Sequence, residues 1–137
     1  VRRPKENRAR NRRLSETEAL SLINSCRSSE NTWLLPLVIL AIETGMRRGE
    51  LLGLRWEHIN LERHTCDLPI TKNGSSRNIP LSNCVAKTFS KLPHNLSGIV
   101  FPLSSVALRG LWGRACKRAG ISKLRFHDLR HEATSRF

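Results

Sequence analysis

The 137-residue sequence contains no tyrosine, one methionine and few aromatic side chains, which make up 5% of its residues. Acidic residues are scarce as well, because 11 Asp and Glu stand against 24 Lys and Arg. The formal net charge of +13 indicates a polyanionic partner, which is either a nucleic acid or an anionic membrane surface. It carries no information about the fold, since net charge acts on association and not on backbone conformation.

The four cysteines lie far apart and never form a C-x-x-C pair. This spacing excludes a zinc ribbon, a redox dithiol and a c-type haem site, so we predict neither a metal nor a cofactor. A chain of this length can bury a sufficient core without disulfides. We therefore expect reduced thiols in a cytosolic or nuclear compartment.

Long hydrophobic runs are also missing. The longest, residues 33–42, is too short to span a bilayer and contains Pro36. The N-terminus is charged but lacks the apolar segment of a signal peptide. These absences predict a soluble protein without a membrane partner, so nucleic acid is the favoured polyanion.

Positive charge is concentrated at the start of the chain. Residues 1–13 hold seven basic side chains and one acidic, a net +6, whereas the other 124 residues have 17 basic and 10 acidic, a net +7. The first segment lacks apolar periodicity and is predicted to be an exposed basic linker. Residues 14–137 are predicted to form one compact domain, which stays basic without the linker.

The remaining pattern predicts an α+β fold that is mostly helical, with one small antiparallel sheet. Ser15 and Glu18 have the spacing of a capping box. They are expected to open a helix to about Arg27, with a buried face composed of Ala19, Leu20, Leu22 and Ile23. A second helix, residues 33–43, is apolar almost all round and should lie at the centre of the core. Gly45 is predicted to end it.

A third helix is expected over residues 46–54, followed by a hairpin. Its first strand, residues 65–71, contains Pro69 and should be an edge strand or an interrupted one. Turn residues 72–76 lead to a return strand at 77–81. Two further helices are predicted, from Ser82 or Asn83 to near 93 and from Ser104 or Ser105 to about 119.

Three positions stand out as candidate chemistry. If a helix starts near His127, then His127 and Arg130 share one face, and a cation beside an imidazole suits an anionic oxygen. Arg47 follows a tight turn, and Glu50, one helical turn later, could brace it. Lys72 lies at the neck of the hairpin. Each has an ordinary alternative, respectively a solvated helix start, a surface ion pair and a solvated lysine.

In chain order, the motifs T-G-M-R-R-G-E-L-L-G-L-R-W (44–56), T-K-N-G-S-S-R-N-I-P-L (71–81) and H-D-L-R-H (127–131) resemble those of the tyrosine recombinase catalytic domain, the phage integrase family. The resemblance implies that fold, a helical core with one small sheet or hairpin. It also implies a set of catalytic residues, namely Arg47, Lys72, His127 and Arg130. Glu50 and His131 are the implied supporting residues. The catalytic set together with Arg77 is expected to contact double-stranded DNA.

In this family a tyrosine attacks a DNA phosphodiester and forms a 3′-phosphotyrosyl link, without metal or cofactor. The resemblance implies that Arg47 and Arg130 clamp the phosphate and that Lys72 protonates the leaving oxygen. It implies that His127 accepts a proton or donates a hydrogen bond to the phosphate. The sequence departs from the pattern because it has no tyrosine and no second His/Trp box. We therefore expect residues 14–137 to be a partial catalytic domain that cannot cleave DNA alone.

Two alternatives remain open at this point. One is a non-catalytic DNA-binding module of the same fold, and the other is an enzyme similar to type IB topoisomerases. The resemblance also implies that the full-length parent acts as a homotetramer on DNA and is a cytoplasmic, nucleoid-associated protein encoded by a bacterium or a phage. This chain is expected to be monomeric.

Overall fold

The structure, a computed structural model, describes residues 13–68 and 77–130. Within these ranges five α-helices are formed, namely α1 (Glu16–Arg27), α2 (Leu34–Thr44), α3 (Arg48–Leu52), α4 (Asn83–Ser90) and α5 (Ser105–Ala119). Three strands make one antiparallel sheet in the order β1 (Ile59–Asn60), β2 (Thr65–Leu68) and β3 (Arg77–Pro80). The predicted mostly helical α+β class is confirmed. The linker residues 1–12 and most of the hairpin turn lie outside the described residues.

Helix α1 begins at the predicted capping box. Ser15 Oγ accepts a hydrogen bond from the Glu18 backbone N at 3.0 Å, and Glu18 Oε1 accepts one from the Ser15 N at 3.1 Å. The predicted buried face is wrong at Leu20, which is 68% exposed, whereas Leu22 is fully buried. The inward positions are Leu22, Ser25 and Cys26, because α1 turns this face towards α2 and α5.

Helix α2 is the centre of the core, as its composition predicts. Most of its residues are buried, namely Leu34, Pro36, Leu37, Val38, Leu40, Ala41 and Ile42, and one face with Leu35 and Ile39 is half-buried. The helix starts one residue later than predicted, and Asn31 Oδ1 accepts a hydrogen bond from the Trp33 N at 2.8 Å. It ends where predicted, because Gly45 adopts the left-handed conformation at φ 72°.

Helix α3 is shorter than the predicted segment of residues 46–54. Arg47 is extended and Gly53 follows the last helical residue. Beyond Gly53 the chain leaves the helix and contacts the segment around residue 100, where the Val100 N donates a hydrogen bond to Leu54 O at 3.0 Å. A 3₁₀ turn at Trp56–His58 then leads into β1.

Strand β2 occupies the middle of the sheet. It pairs with β1 through Cys66 and Ile59, and with β3 through Cys66 and Ile79. Of the two predicted alternatives, the edge position is wrong, because residues 59–60 pair with the side of β2 that was expected to be open. The alternative of an interrupted strand depends on Pro69 and stays a prediction. Residues 69–76, which include Pro69 and Lys72, lie outside the described ranges.

Helices α4 and α5 begin at predicted caps, since Ser82 and Ser104 accept hydrogen bonds from the backbone three residues later. In the middle of α5, Trp112 Nε1 donates to Leu124 O at 3.1 Å. The Trp112 ring also meets Phe126 edge to face at 5.3 Å between centroids. These contacts fix the segment that leads into a 3₁₀ turn at Phe126–Asp128.

The described residues contain neither a membrane-spanning helix nor a cluster of metal ligands. No helix in residues 13–68 or 77–130 is long and apolar enough to cross a membrane. The same ranges contain no group of three or more His, Cys, Asp or Glu side chains that could hold a metal ion. All four cysteines are free, and only Cys84 is exposed.

The observed orientation of α1 gives a paired test. We expect Leu22→Ala to lower the free energy of unfolding by about 2–5 kcal/mol, because it empties a closed part of the core. Leu20→Ala should change it by less than about 0.5 kcal/mol, because that side chain faces solvent. Urea denaturation of both variants measures the difference. Equal losses would show that α1 is rotated from the orientation described above.

Candidate functional site

A cavity of about 540 Å³ opens between the start of α3, helix α5 and the segment around residue 126. Its lining residues are Met46, Arg47, Arg48, Gly49, Leu108, Arg109, Trp112, Leu124, Arg125, Phe126, His127 and Arg130. Five of these are arginines and one is a histidine, and the described lining includes no carboxylate. A concave surface lined by positively charged side chains attracts and holds an anion.

Arg47 is placed by the turn that ends α2. After the left-handed Gly45, the Met46 side chain enters the core and is only 2% exposed. Arg47 follows in an extended conformation as the N-cap of α3, and its backbone N donates to Glu50 Oε1 at 2.8 Å. The backbone of Arg47 is thereby fixed, while its exposed side chain lines the cavity.

Glu50 is bound differently from the prediction that it braces the Arg47 side chain. Its carboxylate receives both the Arg47 backbone N–H and the Arg77 guanidinium. Arg77 Nη1 lies 2.7 Å from Glu50 Oε2 and 2.9 Å from Glu50 Oε1. The Glu50 side chain is 14% exposed and that of Arg77 is 34% exposed, so the pair is partly shielded from water. This contact joins α3 to the first residue of β3.

His127 and Arg130 are presented by a short, well-anchored turn. Asp128 is 3% exposed, and its Oδ2 accepts a hydrogen bond from the Arg125 backbone N at 2.8 Å. On either side Phe126 and Leu129 are buried. The predicted helix start near His127 is confirmed, with a 3₁₀ turn before the helical residues at 129–130.

The charges of the site act on Arg130. Its pKa is lowered from the ordinary value, first because burial removes water from the charged form and then because Arg47 and Arg77 repel it. The Glu50 carboxylate acts in the opposite direction. Arg130 nevertheless remains a cation, because the guanidinium does not lose its proton in proteins. An anion placed among these arginines would relieve their repulsion.

The structure thus brings Arg47, His127 and Arg130 to one cavity, although more than 75 residues separate the first from the others. Glu50 and Arg77 form an ion pair with each other and are not among the cavity-lining residues. Lys72 and His131 lie outside the described residues.

Sequence reasoning missed three arginines of the site, namely Arg48, Arg109 and Arg125. For Arg109 a signal existed, because it belongs to the basic face of α5. Arg48 and Arg125 merely adjoin other motif residues, and only the packed chain shows that they line the same cavity.

Cys66 is a buried thiol within electrostatic reach of Glu50. Burial, and then the negative charges of Asp67 and Glu50, raise the pKa of Cys66 to about 11. The thiol is therefore protonated near neutral pH and is a poor nucleophile.

Comparison with known proteins agrees with this architecture. Residues 12–137 match the sequence model of the phage integrase family. The chain is 45% identical over 137 residues to a shufflon-specific DNA recombinase of Escherichia coli, covering 100% of this chain and 35% of the relative. The structure of the lambda integrase catalytic core superimposes with a TM-score of 0.75 and 26% identity, covering 90% of this chain and 81% of that one. Lambda integrase bound to DNA gives a TM-score of 0.71 and 27% identity, with 88% and 49% covered.

The fold is that of a tyrosine recombinase catalytic domain. The chain belongs to the phage integrase family. It spans about a third of the length of the curated relatives that it matches.

The Asp128 cap gives a prediction for the turn that carries His127 and Arg130. We expect Asp128→Ala to lower the free energy of unfolding by about 1–2 kcal/mol, because the Arg125 N–H loses its acceptor. Asp128→Asn retains a side-chain oxygen and should lose much less. Urea denaturation compares the two. An equal loss would mean that the negative charge matters at this position and the cap does not.

Proposed function

We propose that this chain is the phosphate-binding part of the catalytic domain of a site-specific DNA recombinase. In this proposal residues 14–137 are a partial catalytic domain and residues 1–13 a basic linker. The observation that carries the proposal is the cavity in which Arg47, His127 and Arg130 meet. A site that only needed positive charge would not require these residues, from separate segments, to be held on fixed backbone.

Arg47 and Arg130 are the proposed clamp on the two non-bridging oxygens of a DNA phosphodiester. Attack by a tyrosine oxygen on phosphorus forms the 3′-phosphotyrosyl bond and breaks the bond to the 5′-oxygen. Negative charge grows on the non-bridging oxygens in the transition state, where guanidinium groups held in place stabilise it. His127 is the proposed proton acceptor or additional phosphate donor.

Lys72 completes the proposed chemistry as the general acid that protonates the leaving 5′-oxygen. Glu50 supports the site by fixing the backbone of Arg47. His131 is a further proposed supporting residue. Because the 137 residues contain no tyrosine, the nucleophile has to be supplied from outside this sequence.

Double-stranded DNA is the proposed partner. Beyond the cavity, α5 carries exposed Arg114 and Lys117, whose positive charges suit a phosphate backbone. Arg118 is engaged elsewhere, because its Nη2 donates to Ser25 O at 3.0 Å. The similarity to a structure of lambda integrase bound to DNA supports this partner. The proposal includes a full-length homotetramer on DNA, a monomeric 137-residue chain and a cytoplasmic, nucleoid-associated location.

Substitution in the full-length recombinase tests the clamp. We expect Arg47→Ala or Arg130→Ala to slow formation of the covalent adduct on a nicked recombination site by about a hundredfold, or about 3 kcal/mol. DNA affinity should change much less, because many other cations contact the duplex. Arg27→Gln, which removes one charge at the end of α1, is the control and should keep the wild-type rate. Unchanged rates in both alanine variants would refute the clamp.

The 137-residue chain itself provides a second test. On the same nicked duplex it should bind DNA, with an affinity that falls as salt rises, and form no covalent adduct. Denaturing electrophoresis with labelled DNA detects any adduct. An adduct would mean that another side chain is the nucleophile. A full-length protein that binds the site and never forms an adduct would favour the non-catalytic DNA-binding module.

A further inference from the structure

We infer that Arg77 is a positioning residue, which engages the Glu50 carboxylate and so keeps this negative charge from neutralising the cavity that Arg47 and Arg130 line. The inference rests on the proposed function, because it takes the cavity to be a phosphate site. It differs from the prediction that Arg77 contacts DNA directly.

The geometry of the ion pair is the first argument. One nitrogen of Arg77 lies within 2.9 Å of both carboxylate oxygens of Glu50, and one of these oxygens also accepts the Arg47 backbone N–H. On the side that faces α3 and β3 the carboxylate therefore accepts three hydrogen bonds, one from the Arg47 N and two from Arg77 Nη1. The Arg77 side chain is committed to this contact, and Arg77 is absent from the lining of the cavity.

The charge balance of the cluster is the second argument. Among the described residues, Arg47, Arg77 and the Glu50 carboxylate all influence the pKa of Arg130, the two arginines by lowering it and Glu50 by raising it. Glu50 is three residues from Arg47 at the start of a helix, a spacing at which side chains can pair. Without Arg77, the Glu50 carboxylate would be free to pair with Arg47 or Arg130. Either pairing would place negative charge where the phosphate has to bind.

The position of Arg77 in the chain is the third argument. It is the first residue of β3 and directly follows the segment 69–76, which contains Lys72. The ion pair fixes the start of this strand to the N-terminus of α3, which carries Arg47. This one ion pair therefore affects both the net charge near Arg47 and the spacing between the start of α3 and the start of β3.

Three roles for Arg77 predict different results when Glu50 is also changed. If Arg77 neutralises Glu50, then removing both charges restores phosphate binding that the loss of Arg77 alone weakens. If Arg77 binds phosphate directly, the double variant stays as weak as the single one. If the pair only holds the fold together, the double variant loses stability and does not recover affinity.

The experiment titrates the 137-residue chain with inorganic phosphate and follows the Nε–Hε signals of its arginines by nuclear magnetic resonance. We expect Arg77→Gln to weaken phosphate binding at Arg47 and Arg130 by about tenfold, because one unpaired carboxylate then faces the site. The double variant Arg77→Gln with Glu50→Gln should return to within about threefold of wild type. Glutamine at position 50 retains an oxygen for the Arg47 N–H, so the start of α3 keeps its acceptor.

Two further variants complete the design. Arg77→Lys keeps a cation beside Glu50 and should remain within about threefold of wild-type affinity, whereas Arg27→Gln should have no effect. Thermal unfolding of every variant identifies any that fail to fold, and Arg77→Lys then carries the test.

The outcomes separate the inference from the function on which it rests. If the wild-type chain shows no phosphate binding at Arg47 and Arg130, the proposed function fails. If the wild type binds but the double variant remains as weak as Arg77→Gln, or a folded Arg77→Lys is equally weak, only the positioning role of Arg77 is refuted.

Discussion

The contact between Glu50 and Arg77 is the constraint on which the site depends. Like charges repel, so a negative group beside several arginines lowers the cost of bringing them together. Glu50 is the described carboxylate at this position, and it bonds simultaneously to the backbone of Arg47 and to the side chain of Arg77. Glu50 therefore joins the start of α3 to the start of β3 and offsets part of the positive charge that acts on Arg130.

Apolar packing supplies the rigidity that the charged groups lack. Trp112 contacts Phe126 and holds the Leu124 carbonyl, and the buried Asp128 closes the turn that presents His127 and Arg130. Arginine and histidine side chains are individually flexible, so a clamp needs fixed backbone beneath them. The anchoring of Met46 in the core gives Arg47 the same support from the other side. Preorganisation of this kind stabilises a transition state without rearrangement during the reaction.

Membership of the phage integrase family supports the proposal that the cavity binds a phosphate. The amino-acid composition limits what the chain could do with that phosphate. In the proposed function the chain carries the groups that hold and polarise a phosphodiester, whereas its sequence contains no tyrosine to attack it. Binding of the phosphate and supply of the nucleophile are therefore assigned to different stretches of polypeptide in the proposed recombinase. Such a division lets the clamp form as part of the folded core, independently of the segment that delivers the tyrosine.

The sequence by itself determined the features that depend on neighbouring residues: the capping box at Ser15, the end of α2 at Gly45, the apolar α2 and the turn before Arg130. These follow from hydrogen bonds and backbone preferences within one or two helical turns. The inward face of α1, with Leu22 buried and Leu20 exposed, depended on how α2 and α5 pack against it. The central place of β2, the partner of Glu50 and the gathering of Arg48, Arg109 and Arg125 were likewise decided only by tertiary structure. Each requires contacts between segments far apart in the chain, and such contacts depend on shape and charge in the packed molecule, which no local pattern encodes.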